Sequence, residues 1–215
     1  MKKRGFESAF HLFFLLCGIV SVAFVLCISV YLIVSGIPAI RTIGLRNFLL
    51  GQSWMAQKNE FGILPFILTS VYGTAGAALI GVPLGIFTAV YLAKVAPPRV
   101  ASAVHSAVAL LAGIPSVIYG LVGMIVLVLA IQRLFGQRSG ACLLAAIVVL
   151  AIMILPYIIN VSVTALRAVP PEYEEASLAL GATKVETYFK VSLRAARSGV
   201  LTAVMQGIGR AIGEA

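Results

Sequence analysis

The chain has 215 residues, of which 61% are hydrophobic and only 11% are charged, with a mean hydropathy of +1.08. A soluble domain usually carries about 25% charged residues, so this composition excludes an ordinary soluble protein and indicates an integral membrane protein. The net charge of +9 does not indicate a nucleic-acid partner, because the basic residues lie in short loops beside apolar runs, where membrane topology places them.

Five apolar runs predict an all-α, polytopic bundle, since about 20 apolar residues are needed to cross a ~30 Å hydrocarbon layer. The first run is longer than the roughly 7–15-residue core of a signal peptide, so it predicts a retained helix. Residues 1–60 are therefore predicted to hold a tail, this helix and an external loop, and residues 61–215 a transmembrane domain. The predicted spans cover 12–35, 63–93, 104–131, 141–166 and a fifth that begins at Val200.

The basic residues predict that the N-terminus is cytoplasmic. With that orientation ten basic side chains fall on the inside: Lys2, Lys3, Arg4, Lys94, Arg99, Arg167, Lys184, Lys190, Arg194 and Arg197. Five fall outside: Arg41, Arg46, Lys58, Arg133 and Arg138. An excess of Lys and Arg on the cytoplasmic side is the usual pattern, so the polar insert, residues 170–199, is predicted to lie in the cytoplasm.

The second span carries small residues at four-residue intervals, namely Gly73, Ala77, Gly81 and Gly85. They form one helix face with almost no side chain, which lets the backbone of another helix approach closely. The partner is either another helix of the same chain or a second subunit, and the sequence leaves both open.

The third span contains Gly113, Pro115 and Ser116 in its middle. Proline lacks a backbone donor and clashes with the preceding helical turn. Free backbone groups at membrane depth are tolerated only inside protein or beside a water-filled cavity. Pro115 and Ser116 are therefore candidates for a translocation path if the helix is broken, whereas a simple proline kink is the alternative.

The polar insert predicts two short helices joined by a hinge at Gly181. Pro170 and Pro171 suit a helix start, and the glutamates that follow complement the positive end of the helix dipole. Gly181 is where a left-handed C-terminal cap is expected. Thr183 and Glu186 then have the spacing of a capping box that opens the second helix.

The second helix of the insert is predicted to be amphipathic. Its apolar stripe consists of Val185, Tyr188, Phe189, Leu193 and Ala196. Glu186 and Lys190 form a favourable i, i+4 pair on the polar side. The insert either contacts another protein through its first helix or lies on the bilayer surface, as basic amphipathic helices often do.

The insert resembles the EAA signature of ABC importer permeases, E-A-A-x-x-x-G followed by nine residues and I-x-L-P. Its positions are occupied by Glu175, Ala176, Ser177, Gly181, Val191, Leu193 and Arg194. Serine, valine and arginine replace the second alanine, the isoleucine and the final proline. The resemblance implies that the insert is a coupling element that docks into a cleft on a cytoplasmic ATPase through Glu175, Ala176 and Gly181.

Other strings resemble the phosphate-specific transport (Pst) permeases over roughly residues 61–215. They are FGILPFILTSVYGT, GVPLGIFTAVYLAKVAP, LLAGIPSVIYGL, ILPYIIN, ALRAVPPEYEEASLALGATK and GIGRAIGEA. The first span and Trp54 resemble the PstC-type subunit more than the PstA type. The resemblance implies a type I, MetI-like permease in a bacterial or archaeal cytoplasmic membrane. Such permeases add a sixth span, so the chain is expected to be truncated at its C-terminus.

The same resemblance implies a set of partners and no catalysis by the chain itself. The partners are a PstA-like second permease subunit in a heterodimer, a cytoplasmic ABC ATPase dimer, an extracytoplasmic phosphate-binding protein and membrane lipid. No P-loop is present in the sequence, and no Cys or His spacing indicates a metal site. The chain is therefore predicted to be a transport subunit without cofactor or metal and without a nucleic-acid partner.

Arg210 and Glu214 lie one helical turn apart inside the fifth span. An arginine at the bilayer centre costs about 2.5–3.5 kcal/mol on insertion scales, and such residues usually face the bundle interior or water. A guanidinium also matches phosphate oxygens bidentately. Arg210 and Glu214 are therefore candidates for the translocation path, with a purely structural ion pair as the alternative.

Four readings of function remain open at this stage. The leading one is a phosphate permease subunit of an ABC importer, and an ABC permease for another oxyanion or small nutrient is close to it. A stand-alone channel or secondary transporter would place the insert on lipid and would need no ATPase. A non-transporting assembly protein is the fourth.

Overall fold

Helices account for nearly all of the chain in the computed structural model, which describes residues 2–136 and 138–215, with side chains from residue 10 onward. The residues divide into two units, Met1–Phe66 and Ile67–Ala215. The basic tail over residues 2–4, on which the predicted orientation partly relies, lies outside the described side chains.

The first unit begins with α1 (Lys2–Ile43). This helix runs beyond the predicted span 12–35 because Pro38 does not end it, and the Thr42 hydroxyl donates back to the Pro38 carbonyl at 2.9 Å. A short helix α2 (Leu45–Leu50) follows. Two antiparallel strands, β1 (Trp54–Met55) and β2 (Glu60–Phe61), then flank a 3-10 turn (Ala56–Lys58). This small hairpin is the one departure from the all-α prediction among the described residues.

The second unit holds the helical bundle and the polar insert. Its first helix, α3 (Leu64–Val90), starts in the first unit and continues into a π turn (Tyr91–Val95). The elements that follow are α4 (Pro98–Ala112), α5 (Ser116–Val122), a π turn (Gly123–Leu127), α6 (Val128–Phe135), α7 (Leu143–Arg167), α8 (Pro171–Ala179), α9 (Lys184–Glu186), a π turn (Thr187–Ser192), α10 (Leu193–Ala195) and α11 (Arg197–Glu214).

Four helical stretches of the described chain are long and apolar enough to cross a membrane. They are Phe10–Ile43, Leu64–Val95, Ser116–Phe135 and Leu143–Arg167. The second and fourth predicted spans, 63–93 and 141–166, are thereby confirmed to within a few residues. The fifth predicted span is helical and starts at Arg197, three residues before Val200.

The prediction of one continuous third span over 104–131 is wrong. The chain leaves the helix at Gly113, and α5 starts anew at Ser116 after an extended Pro115 with φ −58° and ψ 140°. Pro115 has no N–H to donate and disfavours helical geometry at the residue before it. The broken-helix alternative is therefore confirmed over the simple kink, and the long apolar stretch here is Ser116–Phe135.

The small-residue face of α3 packs against α7 of the same chain. Ala77 is fully buried. A Cβ placed on Gly81 would come within 2.7 Å of the Ile154 side chain and 3.2 Å of the Ala151 carbonyl oxygen. A Cβ on Gly85 would lie 2.7 Å from the Ile158 side chain. Of the two partners that the sequence left open, the structure places a helix of the same chain against this face.

Helix α7 is the centre of the unit and packs on both α3 and α11. One buried cluster joins the end of α3 and α4 to the C-terminal part of α7, the insert and the start of α11. Its residues are Ala89, Val90, Leu92, Val108, Ile159, Val163, Leu166, Val169, Ala196 and Val200. A second joins the middle of α3 and α7 to the far end of α11: Ala77, Leu150, Ala151, Met153, Ile154, Ile158 and Ala211. Gly207 of α11 lies against Ile158, which brings α11 close to α7.

The close contact at Gly81 leads to a stability prediction. Gly81→Leu is expected to lower the free energy of unfolding by about 1–3 kcal/mol, because the added side chain has no room between α3 and α7. Thermal unfolding of the purified chain in detergent measures the effect. Gly120→Leu is the matched control, since a Cβ there has nothing within 4 Å. Equal melting temperatures for the two variants would contradict the packing.

Candidate functional site

The first helix of the polar insert, α8, starts as predicted. Pro170 is its N-cap with φ −57° and ψ 135°, and Pro171 occupies the first turn. Glu172 and Glu174 also lie in that turn, where their negative charges interact favourably with the helix dipole. The helix then runs to Ala179.

Gly181 forms the predicted hinge between the two helices of the insert. It has φ +86°, a left-handed conformation that L side chains rarely adopt. The Gly181 N–H donates to the Leu178 carbonyl at 3.0 Å, and the Ala182 N–H donates to the Ser177 carbonyl at 3.2 Å. This pair of bonds is the Schellman motif, so the predicted left-handed cap is confirmed.

The capping box at the start of the second helix is also confirmed. The Glu186 N–H donates to the Thr183 hydroxyl at 3.3 Å, and the Thr183 N–H donates to the Glu186 carboxylate at 3.1 Å. Hydrogen bonds from Lys190 and from Thr183 lower the pKa of Glu186 from 4.5 to about 2. The ionised carboxylate therefore stabilises the cap above pH 4.5, and this contribution is lost as the pH falls towards 2.

The predicted apolar stripe of the second helix is only partly right. Tyr188 and Leu193 pack against the buried cluster around Ala196. Val185, however, is 64% exposed, and Phe189 is 37% exposed beside the Phe87 ring. The π turn Thr187–Ser192 changes the helix pitch and turns two hydroxyl groups inward instead: Thr187 and Ser192 are almost completely buried.

The inward hydroxyl groups bind the inner face of α8. Thr187 shares a hydrogen bond of 2.9 Å with Ser177. Ser192 donates to the Glu174 carboxylate at 2.7 Å, and Lys94, at the end of α3, forms an ion pair with the same carboxylate oxygen. Sequence analysis missed these contacts because a buried hydroxyl that has a partner leaves no apolar signal in the sequence.

The outer face of α8 is free of such contacts and forms what we call the α8 surface, defined by Tyr173, Glu175, Ala176, Leu180 and Gly181. All five residues are exposed, and Leu180 is 89% exposed. The three residues predicted to contact an ATPase, Glu175, Ala176 and Gly181, thus lie on one exposed helix and its cap. An exposed apolar side chain beside small residues and a carboxylate suits a protein groove.

Arg210 and Glu214 form the predicted ion pair on α11, with Nη2 and Oε1 3.2 Å apart. The Arg210 guanidinium also lies over the ring of Tyr157 of α7, 5.3 Å from its centroid. Its Nε is buried and, among the described residues, has no hydrogen-bond partner.

Tyr119 lies on α5, one turn after the helix break at Pro115 and Ser116. The Tyr119 hydroxyl donates to the Leu111 carbonyl at 2.9 Å, and the same carbonyl accepts from the Ile114 N–H at 3.1 Å. The ring packs against the cluster that includes Ala211. Tyr119 and Tyr157 were missed because tyrosine within an apolar run is ordinary in membrane helices.

Glu214 also lines an open groove of about 690 Å³ whose other walls are mainly apolar. Thr69 and Gly73 of α3, Gly123 and Met124 of the π turn, and Ala145 of α7 are among the lining residues. Of the two members of the ion pair, Glu214 is the one that lines this groove.

Several known proteins are similar to this chain. The family model described as "binding-protein-dependent transport system inner membrane component" matches residues 81–215. A probable ABC transporter permease protein, YqgH of Bacillus subtilis, is 37% identical over 203 residues, which cover 93% of this chain and 66% of that protein. The phosphate transport system permease protein PstC of Mesorhizobium japonicum is 34% identical, with 87% and 63% covered.

Two further similarities complete the comparison. PstC 2 of Mycobacterium tuberculosis is 33% identical over 233 residues, which cover 99% of this chain and 71% of that protein. A solved inward-facing structure of the MetNI methionine ABC transporter has a TM-score of 0.54 and 24% identity, with 71% and 68% covered; this likeness concerns the fold. The chain thus spans about two thirds of the length of the curated relatives that it matches.

Proposed function

The chain belongs to the family of binding-protein-dependent transport system inner membrane components, and on this premise we propose that it is a permease subunit of an ABC importer for inorganic phosphate. The subunit carries the translocation path and does not hydrolyse ATP. Its partners are a cytoplasmic ATPase dimer, an extracytoplasmic phosphate-binding protein and a PstA-like second permease subunit. The N-terminus and the polar insert lie in the cytoplasm.

The α8 surface is the observation that carries this proposal. The inner face of α8 is fixed to the bundle by hydrogen bonds and an ion pair, and its exposed face combines Leu180, Ala176 and Glu175. A stand-alone channel does not need such a surface. If α8 lay on lipid, basic residues would be expected beside its apolar ones. Instead the exposed part of α8 carries acidic and small residues, which anionic lipid does not attract.

Phosphate is favoured as the substrate by two independent supports. Relatives named as phosphate permeases match most of the chain at 33–34% identity. The Arg210 guanidinium, whose side chain is 34% exposed, suits an oxyanion, because a guanidinium binds such oxygens through paired N–H groups. A permease for another oxyanion is the second candidate, since the same guanidinium geometry also fits sulfate or an organic carboxylate.

Uptake into membrane vesicles tests the proposal. The chain is reconstituted with its ATPase, its second permease subunit and the binding protein, and radiolabelled phosphate is followed with and without ATP. We expect uptake that requires ATP and the binding protein and that unlabelled phosphate competes away. Uptake without ATP would indicate a channel, and ATP-dependent uptake of labelled sulfate without uptake of labelled phosphate would indicate a different oxyanion.

A further inference from the structure

Glu174 and Glu175 are neighbours in sequence but have opposite surroundings. Glu175 lies on the exposed α8 surface. The Glu174 side chain faces the bundle, is only 19% exposed, and forms an ion pair with Lys94, whose side chain is 12% exposed. Lys94 belongs to the π turn that ends the long helix α3. A largely buried charge pair therefore joins the insert to a membrane helix 80 residues earlier in the chain.

The pair is part of a larger polar attachment. Ser192, which is fully buried, donates to the same Glu174 oxygen at 2.7 Å. Ser177 and Thr187 share a second bond, three residues further along α8. Thr187 and Ser192 are five residues apart, and the i→i+5 pattern of a π turn brings such residues onto one face. Together these contacts hold α8 at two points.

The energetics of such a pair argue against a purely stabilising role. Replacing a buried ion pair by apolar residues of similar volume is often neutral or stabilising, because desolvation of the charges offsets their attraction. A charge pair does, however, fix the positions of the two charged groups relative to each other. The apolar cluster behind it, which includes Leu92 of α3 and Ala196 and Val200 at the base of α11, already supplies cohesion.

We infer that Lys94 is a positioning residue that locks α8 to the end of α3 through Glu174, so that a displacement of the α8 surface moves α3 as one body. This inference rests on the proposed function, in which the α8 surface receives the motion of an ATPase. Helix α3 packs along α7, and α7 carries Tyr157 opposite Arg210. A direct mechanical route thus leads from the α8 surface to the Arg210 site.

The double variant Lys94→Met with Glu174→Met tests the inference, because it removes both charges without leaving one buried and unpaired. We expect the double variant to assemble and to hydrolyse ATP, but phosphate moved per ATP to fall by about 5-fold or more, the lower end of typical coupling between sites. The single variant Lys94→Arg keeps the charge, so we expect it to move as much phosphate per ATP as the wild type. A wild-type ratio in the double variant would overturn the inference.

The distance between two spin labels tests the inference without using phosphate transport as the readout. Cys17, Cys27 and Cys142, all exposed, are replaced by serine, and spin labels are placed at Leu84→Cys on α3 and Ala179→Cys on α8. In the assembled complex we expect one narrow distance distribution with Lys94 and Glu174 present and a broad one in the double variant. Identical distributions would overturn the inference even if transport were altered. Failure of ATP-dependent uptake in the wild type would instead count against the proposed function alone.

Discussion

Replacing Arg210 by alanine is expected to abolish measurable phosphate uptake while the assembled complex persists. Loss of the guanidinium removes a hydrogen bond to a charged group, worth about 1.5–3 kcal/mol, which corresponds to a loss of about 10-fold or more in affinity for the anion. Assembly should survive because the packing of α11 on α7 depends on Ala203, Gly207 and Ala211, which are buried. Uptake into vesicles and co-purification of the partner subunits measure the two effects.

Two control variants distinguish the effect of the Arg210 charge from the effect of its planar guanidinium group. Arg210→Lys keeps the charge but loses the planar fork, so intermediate uptake is expected. Arg133→Ala, at the end of α6 and away from α11, removes an arginine without touching the ion pair and should transport normally. Normal uptake in Arg210→Ala would leave Arg210 and Glu214 as a structural pair only.

A glutamate at Gly181 is expected to uncouple ATP hydrolysis from transport. The position has φ +86°, and an L residue held there costs about 1–2 kcal/mol. More importantly, a Cβ at Gly181 has nothing within 4 Å, so the new carboxylate would project from the α8 surface. Stimulation of the ATPase by phosphate and its binding protein should then be lost, whereas basal hydrolysis persists.

Gly181→Asn is the matched control for this effect. Asparagine tolerates the left-handed conformation better than other residues and adds no charge, so most of the coupling should remain. The amount of complex recovered from the membrane is measured in parallel, because failed folding would lower it in both variants. Phosphate-stimulated hydrolysis of wild-type magnitude in Gly181→Glu would argue against docking through this surface.

Several features of the structure could be predicted from short patterns in the sequence. Two long spans follow directly from apolar length, and the Schellman cap at Gly181 and the box at Thr183 follow from residue types at fixed spacing. The Arg210–Glu214 pair follows from helical periodicity alone. Each of these depends on residues within one or two turns of one another, which is why a single sequence was enough.

The remaining features depend on distant partners or on backbone geometry. The break between α4 and α5 interrupts a run of continuous apolarity, so hydropathy placed one span where the chain forms two helices. The pairing of Lys94 with Glu174 joins residues 80 positions apart, and no local pattern marks it. The burial of Thr187 and Ser192 follows from a π turn, whereas the predicted stripe assumed regular α-helix.

The π turn Thr187–Ser192 also determines how the helices that follow it, α10 and α11, are rotated about their axes. An α-helix rotates by about 100° per residue, so a deletion that converted this turn into regular helix would swing α11 by about that angle. The Arg210 guanidinium would leave the Tyr157 ring although no residue of either site had been removed. An in-frame loss of a single codon here is therefore expected to silence the protein as fully as loss of the arginine. The rotation of the Arg210 side chain relative to the α8 surface is therefore set by the one extra residue of this π turn.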